Sequence, residues 1–243
     1  MAITQTGSIT TVSGNGVYNG ASGTISGITV PADAEIMFIG VSAYSGTAAI
    51  LSGAGTFDIG GNNSVGVASA ATNWRSALHY ILAPATGTQN LDWQWGGGAG
   101  SALEDSVVII SRGFWKGIDT GSPVRDSDSQ GGNGDSHTTP TLTAQTGDLI
   151  IAFGGSFDAP EANLSFTYSG SGGAATLQDV TSASYADGAW GTASPTGDQT
   201  ITWTATGADE GGIAAWVLKA AAAGAVSGQA RLGQRFFMRG TRH

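Results

Sequence analysis

The sequence predicts an all-β protein: a jelly-roll-like β-sandwich of about ten strands, built from two pseudo-repeated halves and followed by an extended C-terminal arm. Three observations predict it. Glycine fills 40 of the 243 positions without a three-residue period, which excludes collagen and suits many short strands joined by tight turns. Hydrophobic residues make up 40% and charged residues only 11%, with seven tryptophans, so the chain can bury a core and global disorder is not expected. Short runs rich in β-branched and aromatic residues recur along the chain, and only the alanine run 220–223 hints at a helical period.

The strand runs fall into two matched series. "EIMFIGV" (35–41), "RSALHYILA" (75–83), "QNLDWQW" (89–95) and "SVVIISRGF" (106–114) form the first. "DLIIAF" (148–153), "LSFTY" (164–168), "QTITWTA" (199–205) and "GIAAWVL" (212–218) form the second. Glu35 and Asp148 stand 113 residues apart at matching places, and Gln89/Gln199 and Trp93/Trp203 stand 110 apart. Such self-similarity marks a repeated supersecondary unit. The sandwich is expected over 1–219, with halves at about 28–118 and 140–219 around a junction loop at 120–139. The halves can form two small sandwiches or two parts of one. One is expected, because a Gly-rich unit of about 110 residues buries a thin core.

Composition excludes several function classes. Without cysteine there are no disulfides, zinc-thiolate sites or cysteine nucleophiles. The formal net charge of −9 disfavours a nucleic-acid partner. No apolar run reaches the roughly 18 residues of a membrane span, and "MAITQTGSITT" lacks the basic and apolar regions of a signal peptide. A protein made in a cytoplasm is the expectation.

Candidate chemistry starts at "RDSDSQGGNGDSH" (125–137). Counted from Asp126, it resembles a calcium loop at positions 1, 3 and 6, but His137 occupies position 12, where the bidentate Glu belongs. Asp126, Asp128 and Asp135 remain weak cation candidates, and a Gly/Asp hinge is the expected role. The pairs Glu104-Asp105 and Asp209-Glu210 precede strands, where adjacent carboxylates point apart. His79 lies in an apolar strand, and neither G-x-S-x-G nor a P-loop is present. No catalytic residue, cofactor or enzymatic role is expected. Trp93, Trp95 and Trp203 fit a core by alternation, whereas Trp74, Trp115 and Trp190 sit in less regular contexts and are candidates for a glycan-binding face.

The arm, residues 220–243, differs from the body. All 18 acids precede residue 211, and five of the nine basic residues are Lys219, Arg231, Arg235, Arg239 and Arg242. Phe236, Phe237 and Met238 lie between two of these arginines. Arg, Met and aromatics are enriched at protein interfaces, so Arg231, Arg235, Phe236, Phe237, Met238, Arg239 and Arg242 are the candidate partner-binding set.

Four segments carry a resemblance: "TVPADAEIMFIGVSAYSG", "YILAPATGTQNLDWQW", "GFWKGIDTGSPV" and "TLTAQTGDLIIAFGG". They are similar to a family of uncharacterised bacterial and tailed-phage proteins over residues 28 to about 218. Tyr80-Ile81 stands where that family usually has Trp-Tyr. The resemblance implies a virion structural component, such as a head decoration, head-spike, tail or fibre-associated protein. Its implied partners are capsid, portal, neck or tail subunits and further copies of itself, after assembly in a bacterial host's cytoplasm. A host glycan bound by an adhesin-like module is the alternative.

Overall fold

The computed structural model describes residues 2–15, 22–44, 56–68, 74–94, 107–157, 164–170, 178–183, 186–208 and 210–222. These residues are all-β: they hold no helix, and all of their sheets are antiparallel. The first half runs β1 (Thr4–Asn15), β2 (Ser22–Val30), β3 (Ile36–Tyr44), β4 (Thr56–Ile59), β5 (Asn62–Asn63), β6 (Val65–Ala68), β7 (Trp74–Leu82), β8 (Gly87–Gln94) and β9 (Val107–Lys116). The second runs β10 (Val124–Asn133), β11 (Ser136–Thr138), β12 (Leu149–Phe157), β13 (Leu164–Tyr168), β14 (Gln178–Ala183), β15 (Ala186–Ala193), β16 (Ile201–Ala205) and β17 (Glu210–Leu218).

Where the sequence predicts one sandwich of about ten strands, each half forms its own. A five-stranded sheet β1-β9-β3-β7-β6 packs on a four-stranded sheet β2-β8-β4-β5. Likewise β10-β17-β12-β15-β14 packs on β11-β16-β13. The pairing is nested: β1 with β9, β2 with β8, β3 with β7 and β4 with β5. The second half repeats it, with β10–β17, β11–β16 and β12–β15.

The thin core expected of each half is relieved by a third core between the two five-stranded sheets. Ile36, Phe38, Leu78 and Trp115 of the first half meet Ile151, Phe153, Trp190, Ala214, Trp216 and Leu218 of the second. The stack therefore has four layers, and the central strands of its two inner sheets are buried on both faces. Alternate residues of β3 divide between cores: Met37, Ile39 and Val41 face the first sandwich, whereas Ile36 and Phe38 face the other half. Outer strands alternate instead, as with Leu91 and Trp93 in β8 or Ile201, Trp203 and Ala205 in β16.

The halves meet about an approximate two-fold axis. β3 faces β12, β9 faces β15, β7 faces β17, β1 meets β14 and β6 meets β10. Equivalent strands exchange roles, which is the isologous contact of a C2 dimer. The side chains on the axis break this symmetry. Gly40 and Phe153 occupy equivalent positions, and a Cβ on Gly40 would lie 2.3 Å from the Phe153 ring. Ser42 and Ser76 hold the places of Gly155 and Gly188, and a Cβ on Gly155 would lie 2.1 Å from the Ser42 hydroxyl. Knobs on one half fill glycine holes on the other, so the interface fits one half to the other and not either half to itself.

The junction also departs from expectation. Residues 124–133 are not a loop but strand β10, an edge strand paired along its length with β17. Asp, Ser and Gly are poor strand formers, but the neighbouring backbone ladder overrides that preference. β10 and β11 hold the places of β1 and β2, so each repeat begins earlier than the sequence suggests. Arg125 pins the strand through a bidentate pair with buried Asp148, at 2.5 and 3.1 Å.

Candidate functional site

Two of the three candidate glycan tryptophans are buried. Trp190 is 0% and Trp115 2% exposed, both in the core between halves, with ring centroids 5.8 Å apart. The Trp190 indole donates to the Ser111 hydroxyl at 2.7 Å, which satisfies its polar edge. Neither presents a face to a sugar. The irregular context that set them apart reflects residues facing a core the sequence reading did not foresee. Trp74 belongs to β7, and its side chain lies outside the described residues.

The aspartates of 125–137 are engaged as acceptors from the backbone. Asp126 accepts from the amides of Ser127 and Thr143, and Asp128 accepts from the amide of Ser129. Asp135 sits in the turn between β10 and β11. Among the described residues no group of three or more His, Cys, Asp or Glu side chains is placed to hold a metal. His137 is buried, and its Nε2 lies 3.0 Å from the Gly134 carbonyl oxygen. Burial, opposed by that carbonyl and by Asp135, holds its imidazole below the ordinary range. The partner-binding set Arg231, Arg235, Phe236, Phe237, Met238, Arg239 and Arg242 lies outside the described residues.

The sequence reading missed a polar groove of about 380 Å³ on the outer face of the first sandwich. It follows from alternation in β2, β8 and β4. Trp93 and Phe57 point into the core, and their neighbours Asp92, Gln94, Thr56 and Asp58 point outward. Register aligns Thr24, Asp92, Asp58 and Asn63 in one row across four strands, and Ser22, Gln94 and Thr56 in the next. Thr24 Oγ1 donates to Asp92 Oδ1 at 2.5 Å, and the Gly61 amide donates to Asp58 Oδ1 at 3.0 Å. Among the described residues no Lys, Arg or His lines the groove. The legible signal was "LDWQW", whose polar residues share a face.

No protein-family model matches the chain, and comparisons with curated proteins and with solved structures find no match.

Proposed function

We propose that the chain is a structural component of a tailed-phage or phage-like virion, a surface decoration, spike or tail/fibre-associated protein assembled in the host cytoplasm. The sequence motifs that resemble phage proteins support this reading. So does the nested strand pairing of each half, which we read as jelly-roll connectivity, an architecture used in viral shells and lectin domains.

One observation carries the attachment. Among the described residues Val65 is the single large hydrophobic side chain that stands exposed. The described residues of the body direct their apolar side chains into three internal cores, and on that ground we assign docking on capsid, portal, neck or tail subunits to the arm. There Phe236, Phe237 and Met238 would supply the desolvated centre, and the arginines bidentate bonds to a neighbour's carboxylates. The test is mass spectrometry of purified particles, joined to co-sedimentation of a truncation ending at Ala225. The full chain should load at fixed stoichiometry and the truncation should not; full loading of the truncation moves the anchor to the sandwich.

The second reading, a module that binds host glycans, now rests on the groove and not on the tryptophans. The two readings are compatible in a receptor-binding spike.

A further inference from the structure

We propose that the groove across β2, β8, β4 and β5 binds a neutral, polyhydroxylated ligand, an uncharged glycan segment, through Thr24, Asp58, Asn63, Asp92 and Gln94. The inference deepens the glycan-binding reading and rests on it.

Cross-strand register is the first argument. Asp58 and Asp92 stand directly opposite each other on adjacent strands, with Cβ atoms about 4.5–5.5 Å apart in such pairs. Like charges in that relation destabilise a sheet. Each carboxylate has Oδ1 engaged, by Gly61 and by Thr24, and each keeps Oδ2 without a protein partner among the described residues. The groove therefore presents two strong acceptors side by side, and among the described residues no cationic side chain answers them. A fitting ligand supplies hydrogen-bond donors.

The second argument concerns size and sign. Strands are spaced about 4.8 Å apart and outward residues about 6.8 Å apart along a strand. The two polar rows thus cover roughly 15 by 7 Å, the footprint of a short saccharide laid across the strands. Around the carboxylates, Asn63 and Gln94 each offer an amide donor and acceptor, and Ser22 and Thr56 offer hydroxyls that do both. Neutral sugars carry many hydroxyls with this dual character. A phosphorylated, sulfated or sialylated glycan brings anions to a face that already holds two and to a chain of net charge −9, so it is disfavoured.

Core packing supplies the third argument. Gly23 lies between Ser22 and Thr24, and a Cβ there would lie 2.5 Å from the Trp93 indole. The indole underlies the β2 backbone and fixes the floor from which Ser22, Thr24, Asp92 and Gln94 project. Recognition is by hydrogen bonds on a rigid floor, so affinity in the millimolar range is expected for one short saccharide, raised by avidity if copies cluster.

The experiment is saturation-transfer NMR and titration calorimetry of the full chain. The probes are neutral tri- and tetrasaccharides of glucose, galactose, mannose and N-acetylhexosamine, each run with EDTA and again with calcium. At least one neutral saccharide should bind in EDTA. Asp92→Ala and Asp58→Ala should each weaken it about tenfold or more, the factor expected on losing a charge-assisted bond. Both variants should stay folded and melt close to the parent, because relief of the like-charge contact offsets the lost bond from Gly61 or Thr24. The proposal is overturned if no saccharide binds at 10 mM (roughly the weak limit, −2.7 kcal/mol), if binding survives both substitutions, or if binding requires calcium, which would make the aspartate pair a cation site. Particle association, read by mass spectrometry, is independent of all three outcomes.

Discussion

The contact of Phe153 with Gly40 gives the most exacting test of the packing between halves. Phe153 is fully buried, lies edge-on to Trp190 at 5.3 Å, and rests on Gly40 and Gly188. Truncation to alanine leaves a ring-sized void in a two-sided core and should cost about 3–5 kcal/mol. Gly40→Ala places a methyl carbon 2.3 Å from the ring position, and such overpacking costs typically 1–3 kcal/mol. In the Phe153→Ala background the same methyl enters vacated space. There it should be neutral or stabilising by about 0.5–1 kcal/mol, the ordinary preference for alanine over glycine within a strand. The sign of Gly40→Ala therefore inverts with the partner. Urea denaturation of the four proteins of the cycle measures it, with an expected coupling of at least about 1 kcal/mol. Effects additive to within about 0.5 kcal/mol would show that β3 and β12 do not meet as described.

Further predictions follow from named contacts. Gly154→Ala should destabilise the second sandwich by an overpacking cost of about 1–3 kcal/mol, since its Cβ would lie 2.3 Å from Trp203; an unchanged urea midpoint would refute that contact. Removing half of the Arg125–Asp148 pair by Asp148→Ala should cost about 3–5 kcal/mol, as for other buried pairs broken on one side, although partial exposure of Arg125 sets the lower end as the expectation. His137 titrates below its ordinary range because it is buried. Its contribution to stability is therefore complete above the unfolded pKa of about 6.5 and falls as pH drops toward the folded value. His137→Gln should lessen the loss of stability between pH 7.5 and 5.5, and an unaltered pH slope would refute this. Millimolar calcium should barely move the melting temperature; a rise of many degrees, abolished by Asp126→Ala with Asp128→Ala, would restore the cation reading of 125–137.

Strand content and the repeat were legible because short strands announce themselves by alternation and turn residues. The number of layers was legible only in a subtler way. "EIMFIGV", "DLIIAF" and "GIAAWVL" are continuous apolar runs, whereas "LDWQW", "LSFTY" and "TITWTA" alternate. A continuous run marks a strand covered on both faces, and three such runs in two matched halves point to two inner sheets. Trp115 and Trp190 were misjudged because periodicity within one strand does not reveal a third core. Residues 125–137 were misread because their composition favours turns, while the ladder with β17 that makes 124–133 a strand joins residues 77 to 94 positions apart. The groove escaped notice because its aspartates come from separate strands, and only register places Asp58 opposite Asp92.

The central claim is that two sandwiches are locked into one body by an asymmetric core between their inner sheets. Sedimentation equilibrium of residues 1–121 and 122–222, expressed separately and then mixed, tests it most directly. Each piece alone exposes a face rich in Trp, Phe and Leu and should aggregate or associate irregularly, because the Gly40/Phe153 and Ser42/Gly155 pairs fit only across unlike halves. Mixed or co-expressed, the pieces should give a single 1:1 complex that melts cooperatively. Two soluble monomers that ignore each other on mixing would contradict the account.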